Sequence, residues 1–137
     1  MLTPASTLVR LLVFSFSLGL SAVAFSAEKP GLPAGFIAMS ESKMSWVNAK
    51  AWCQQQGGRL PRINNSDSLK NVPDNAVIDG FGALGSPWAG RLPSGLYWTG
   101  TVNSDYPNYS YVVTDFGGGL VDNGVLQSLD NRVLCVP

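Results

Sequence analysis

The chain has 137 residues, a length that fits one small domain preceded by a targeting segment. Nine basic side chains balance nine acidic ones, which argues against a nucleic-acid partner, because such domains carry a clear basic excess. Histidine is absent, which excludes both a histidine base and a Cys/His zinc site.

Residues 1–24 read as a signal peptide. Arg10 gives a positive start, and the run Leu11-Leu12-Val13-Phe14-Ser15-Phe16-Ser17-Leu18-Gly19-Leu20 has the length of an apolar h-region. Ala22-Val23-Ala24 supplies the small-x-small pattern read by signal peptidase, with a cut after Ala27 as second choice. A spanning helix needs roughly 20 apolar residues, about twice what this run offers. The expectation is a secreted or periplasmic protein, or one at the cell surface, with no membrane insertion once the leader is removed. Two cysteines in an exported chain read most simply as one disulfide, Cys53 to Cys135, with two free buried thiols as the alternative.

Residues 25–35 form a leader with Pro30, Gly31, Pro33 and Gly35, and residues 36–137 form the domain. Phe36-Ile37-Ala38-Met39 reads as a short first strand. The strongest helix signal follows, with Ser45 as N-cap, Met44 placed to staple onto Ala49, and Gly57 for the left-handed residue after the last turn. Trp46, Ala49, Trp52 and Cys53 fall on one stripe at helical spacing, which faces the core and points Cys53 inward. Gly57-Gly58-Arg59-Leu60-Pro61 turns the chain away. Ser66-Asp67-Ser68-Leu69-Lys70 is expected to open a short second helix capped by Ser66, and residues 72–95, rich in glycine and proline, read as a long irregular loop. The last third reads as strands. These are residues 96–101, 111–116 and 132–136, with a turn at 103–108 and a hairpin turn at Gly117-Gly118-Gly119 leading to Leu120-Val121.

Two motif matches carry no function. Gly80-Phe81-Gly82-Ala83-Leu84-Gly85 spells the dinucleotide fingerprint, but Ser86-Pro87-Trp88 after it does not start the helix on which pyrophosphate would rest. Asp115-Phe116-Gly117 spells the kinase magnesium motif without a glycine loop, catalytic lysine or His-Arg-Asp run.

Ser45-Trp46, Ala49 and Cys53, then Gly58-Arg59-Leu60-Pro61, resemble the opening of the C-type lectin-like fold. With Tyr97-Trp98-Thr99, Val112-Val113, Asp115-Phe116, Gly119 and Arg132-Val133-Leu134-Cys135-Val136, the chain is similar to the C-terminal domain of Lcl-type collagen-like bacterial adhesins. The resemblance implies an α+β, C-type lectin-like domain with one main N-terminal helix plus a short second helix packed on a small antiparallel sheet, and long irregular loops. It also implies a Cys53–Cys135 bond and a lectin-like module, the prototype of which binds sulfated polysaccharides. The Glu-Pro-Asn loop and Trp-Asn-Asp run of calcium-dependent animal lectins are absent, as are collagen-like repeats. The enzymatic relative of this fold, the formylglycine-generating type, uses further cysteines that this chain lacks.

Ligand-binding candidates are residues whose rings, amides or charges lie in polar loops: Trp88, Arg91, Asn103, Asp105, Tyr106, Asn108 and Tyr109. Exposed rings stack on sugar faces, and neighbouring amides hydrogen-bond the rim. Arg59, Arg62 and Arg91 suit sulfate or carboxylate through paired N–H donors. Asp122, Asn123 and Asp130 are weak calcium candidates, because they offer hard oxygens on loops. No other cofactor is expected. The function expected is an exported, non-catalytic recognition or adhesion module for a glycan or protein surface. The alternatives are a structural accessory subunit of a surface or pilus-like assembly, and a small secreted hydrolase.

Overall fold

A computed structural model describes residues 32–85, 92–114, 119 and 123–137. The expected signal peptide, Trp88, Arg91, Asp115, Asp122 and most of the triple-glycine turn lie outside these residues.

Helix α1 spans Trp46–Gln55 and buries Trp46, Ala49 and Cys53, the stripe expected from spacing, with Trp52 half-buried beside them. Its C-terminus closes as the sequence predicts. Gly57 takes φ +88°, the Gly58 N–H donates to the Cys53 carbonyl at 2.9 Å, and the Gly57 N–H donates to the Gln54 carbonyl at 3.0 Å. The N-terminus differs. Ser45 holds the N-cap position with extended backbone, but its side chain makes no cap bond. The Trp46 N–H is instead taken by the Gln127 carbonyl at 3.0 Å, so a distant loop replaces the local cap. Two indoles complete the docking: Trp46 Nε1–H donates to the Thr99 carbonyl at 2.9 Å, and Trp98 Nε1–H to the Met44 carbonyl at 2.7 Å.

The strands are β1 (Ala38–Met39), β2 (Ser68–Leu69), β3 (Val77–Ile78), β4 (Gly82–Ala83), β5 (Leu96–Asn103), β6 (Tyr109–Thr114), β7 (Val125–Leu126) and β8 (Leu134–Cys135). The four-stranded sheet runs β2-β5-β6-β7, while β1-β8 and β3-β4 form two-stranded sheets. The architecture is therefore α+β. Its centre is the β5–β6 pair, buried on both faces. Trp98 and Val112 pack with Ala49, Cys53 and Val133, while Tyr97, Tyr111 and Val113 pack with Ile63, Ile78 and Phe81. Side chains alternate across a strand, so one pair of strands feeds both clusters.

Two expectations change. Residues 66–70 form no helix: β2 pairs parallel with β5, and the carbonyls of Asp67 and Leu69 accept the N–H groups of Val102 and Ser104 at 2.9 and 3.0 Å. A five-residue helix would have to nucleate without such support, and nucleation is costly. Within the expected long loop, residues 77–83 form the β3–β4 hairpin, because Ala76, Ile78 and Phe81 find an apolar face to cover. The strand paired with the start of β6 is Val125–Leu126; residues 120–122 lie outside those described.

Register between β5 and β6 slips between Trp98 and Val102, so Thr99, Gly100 and Thr101 face Tyr111 alone. Polar groups freed by such a bulge need other partners. Thr99 Oγ1–H donates to the Tyr111 carbonyl at 2.8 Å, and the Gly100 N–H donates to the Pro61 carbonyl at 2.7 Å. Thr101 Oγ1 accepts the Ile63 N–H at 2.9 Å and donates to the Ser66 carbonyl at 2.8 Å. Gly100 and Thr101 thus tie β5 to residues 61–66, while Thr99 keeps it bonded to β6.

Cys53 and Cys135 are bonded, with Cα atoms 5.4 Å apart and both side chains fully buried. Beside them Arg59 and Val136 exchange two backbone bonds of 2.9 and 2.8 Å. Gly58 must be glycine here, since a Cβ would run into the Val136 carbonyl oxygen. In the chain-entropy account a loop of this size is stabilised by about 4–5 kcal/mol. Replacing both cysteines by alanine is expected to remove most of that, measured as a fall in the midpoint of reversible denaturation, with the wild type under reductant shifting alike.

The Tyr111 hydroxyl donates to the Leu69 carbonyl at 3.0 Å in a buried position. Burial, and secondarily the Asp105 carboxylate, raise its pKa above the ordinary 10.0. The folded state therefore holds this proton when the unfolded chain releases it. Its contribution is whole below pH 10 and is lost as pH rises through the raised folded value. Tyr111→Phe should cost about 1 kcal/mol at neutral pH. Above pH 10 the gap to the wild type should narrow, as read from denaturation midpoints across pH.

Candidate functional site

The β5 bulge and the chain leaving α1 enclose a groove of about 380 Å³. Its floor is Leu60, Gly100 and Val102. One wall is α1, where Trp46, Lys50 and Gln54 recur every fourth residue and so share a face. The other wall is Arg59, Arg62 and Asp67. Lys50 Nζ lies 4.2 Å from the Trp46 ring centroid, a cation–π contact that sets the ammonium over the groove wall.

The arginines are held differently. Arg59 Nη1 donates to Asp79 Oδ2 at 2.7 Å and to the Leu60 carbonyl at 3.2 Å. The same Asp79 oxygen accepts the Arg62 N–H at 2.9 Å, which locks this ion pair to the backbone just after β3. Arg62 Nη2 donates to Asn65 Oδ1 at 2.6 Å, and its Nη1 reaches Asp67 Oδ1 at 3.3 Å. Its Nε is buried and has no partner among the described residues. Asn64 and Asn65 sit at φ +50° and +56°, a left-handed pair that asparagine tolerates and that turns the chain back beneath Arg62.

The groove lining thus carries three cations against the Asp67 carboxylate, with a second carboxylate, Asp79, paired to Arg59 behind it, in a chain with no net charge. Arginine supplies a planar fork of donors and lysine a point charge, a set that suits carboxylate or sulfate oxygens. Among the described residues no three of His, Cys, Asp or Glu gather as a metal-holding group.

The sequence candidates fall in a different place. Asp105, Tyr106, Asn108 and Tyr109 gather at the β5–β6 turn, where Tyr106 is 52% exposed and meets Tyr109 edge-to-face at 6.0 Å. Asn103 is only 1% exposed. Its Oδ1 accepts the N–H groups of Asp105 and Tyr106 at 2.9 and 3.3 Å, and its Nδ2 donates to the Asn123 carbonyl at 3.2 Å. None of these turn residues lines the groove. Asn123 follows the undescribed Asp122, and Asp130 is exposed before β8. Of the arginines singled out by sequence, Arg59 and Arg62 meet in the groove. Lys50, Gln54 and Asp67 were not legible as site residues, although the Trp46, Lys50, Gln54 spacing marks a shared helical face.

No family model, no curated protein and no solved structure matches the chain. What the groove does is therefore argued from its own residues.

Asn103→Ala is expected to destabilise the domain by about 1–3 kcal/mol, because three turn bonds lose their partner. Chemical denaturation measures this directly, and any ligand affinity of the remaining folded fraction should stay unchanged.

Proposed function

We propose that this chain is an exported, non-catalytic recognition module of C-type lectin-like type, and that the groove beside α1 binds an acidic glycan. The observation that carries the reading is the alignment of Lys50, Arg59 and Arg62 along one open groove, where they outnumber the Asp67 and Asp79 carboxylates that pair with the two arginines. Sulfated and carboxylated sugars present anions on a polar, hydroxyl-rich frame. Cations would hold the anions, while Gln54 and the carbonyls beside β5 suit the hydroxyls. The resemblance to the Lcl-type adhesin domain, whose prototype binds sulfated polysaccharides, points to the same ligand class.

Export fits a disulfide that closes most of the domain, since such bonds persist in oxidising compartments. Among the described residues no helix is long and apolar enough to cross a membrane. A non-catalytic role fits the absence of histidine, which removes the usual activator of a serine nucleophile.

The test is calorimetry of the purified domain with a sulfated oligosaccharide and with its unsulfated parent. Binding of the sulfated sugar alone is expected, weakening as salt screens the contacts. Lys50→Ala and Arg62→Gln should each lose about tenfold in affinity, roughly 1.4 kcal/mol, with unchanged melting curves. No binding to any sulfated or carboxylated glycan would overturn the reading.

A further inference from the structure

The two ion pairs of the groove differ in a way that singles out one carboxylate. Asp79 sits 2.7 Å from Arg59 and is anchored by a second bond from the Arg62 N–H. Asp67 meets Arg62 at 3.3 Å, long for a charged pair, and its side chain is 85% exposed against 26% for Arg62. Its backbone, by contrast, is fixed, because the Asp67 carbonyl accepts the Val102 N–H at 2.9 Å where β2 joins β5. A rigid stem thus holds a loosely engaged carboxylate on the open side of the groove. Its partner is only partly satisfied: Arg62 Nη2 donates to Asn65 Oδ1 at 2.6 Å, while a buried Nε–H has no acceptor among the described residues.

An arginine fork engages an oxyanion best through two donors at once, and Asp67 takes only one of them, at long range. Leaving a buried donor unpaired is costly, so this resting arrangement of Arg62 is poor by its own hydrogen-bond count. We infer that Asp67 is a displaceable internal anion: it occupies Arg62 while the groove is empty, and the sulfate or carboxylate of an incoming glycan takes its place. This rests on the acidic-glycan reading and adds a specificity device to it. A neutral sugar offers Arg62 only uncharged hydroxyl acceptors, weaker than the Asp67 carboxylate, so it leaves the pair closed. An anionic one draws the guanidinium toward itself and gives the fork two acceptors. Arg59, pinned by Asp79, makes no such exchange and serves as the fixed end of the site.

The deciding experiment compares wild type, Asp67→Asn, Arg62→Gln and the double variant, by calorimetry with a sulfated tetrasaccharide and its unsulfated parent. The exposed Asp67 side chain can be changed without disturbing the β2–β5 pairing, which is made by backbone. Asp67→Asn is expected to bind the sulfated sugar roughly two- to fivefold tighter, the range set by removing one exposed competing ion pair. It should leave the unsulfated sugar unbound. In the Arg62→Gln background the same change should have no effect, which separates displacement from a general change in charge. In the wild type, titration with the sulfated sugar should shift the Arg62 Nε–H resonance. Sulfated-sugar binding that is equal or weaker in Asp67→Asn overturns the inference and leaves the groove reading standing. An equal gain with and without Arg62 overturns it too. Absence of binding in every variant overturns the groove reading and this inference together.

Discussion

The last strand of the chain is the constraint on which everything else in the domain depends. It passes between parts of the molecule that sequence keeps far apart. Asn131 bridges Met44 before α1, Arg132 bridges Tyr97 on β5, Leu134 and Cys135 pair with β1, and Val136 bridges Arg59 after α1. The disulfide then fixes this strand to the last turn of α1. Among the described residues, six of the eight strands have only two residues, too few to hold together alone. They are ordered because a covalent tie and two buried clusters hold their partners in reach. The same tie explains Gly58, where two backbones come too close for any side chain.

From that clasp the groove follows by geometry. α1 is held at one end by Cys53 and at the other by the indoles of Trp46 and Trp98, so its Trp46, Lys50, Gln54 face is fixed relative to β5. The Thr-Gly-Thr bulge lets β5 leave the β6 register and bond to residues 61–66. That excursion places Gly100 and Val102 as a floor, and Arg62 as a wall opposite the helix. The bulge is built from threonine hydroxyls, which replace the ladder bonds that the slipped register gives up. A structural irregularity and a concave, cation-lined surface are therefore the same feature seen from two sides.

The groove also shows how one surface can hold like charges without repelling itself apart. Arg59 is neutralised by a buried-side partner from the β3–β4 hairpin, Lys50 rests on an aromatic face, and Arg62 leans on a carboxylate that solvent surrounds. Two of the cations are held by ion pairs and one by an aromatic ring, and of the two ion pairs that of Arg62 with Asp67 is the longer and more exposed. The aromatic pair at the β5–β6 turn is separate, with its polar partner Asn103 turned inward to brace the loop.

The sequence alone determined what depends on neighbours close in the chain or on chemistry that has one outcome. Spacing located α1 and its buried stripe, Gly57 located its end, and runs of β-favouring residues located most of β5 and β6. Two cysteines had a single internal pairing. Arg59 and Arg62 were legible as candidates for holding an anion because guanidinium chemistry does not depend on fold. Tertiary structure alone decided the rest. Residues 68–69 became a strand because β5 offered them a parallel edge, residues 77–83 became a hairpin because an apolar face awaited Ile78 and Phe81, and the helix start was capped by Gln127 instead of Ser45. Each of these outcomes was set by a partner distant in sequence, whose hydrogen bonds or apolar surface outweigh a weak local preference. For the same reason, Lys50, Arg62 and Asp67 became one site only when the disulfide and the bulge brought α1 and β5 together.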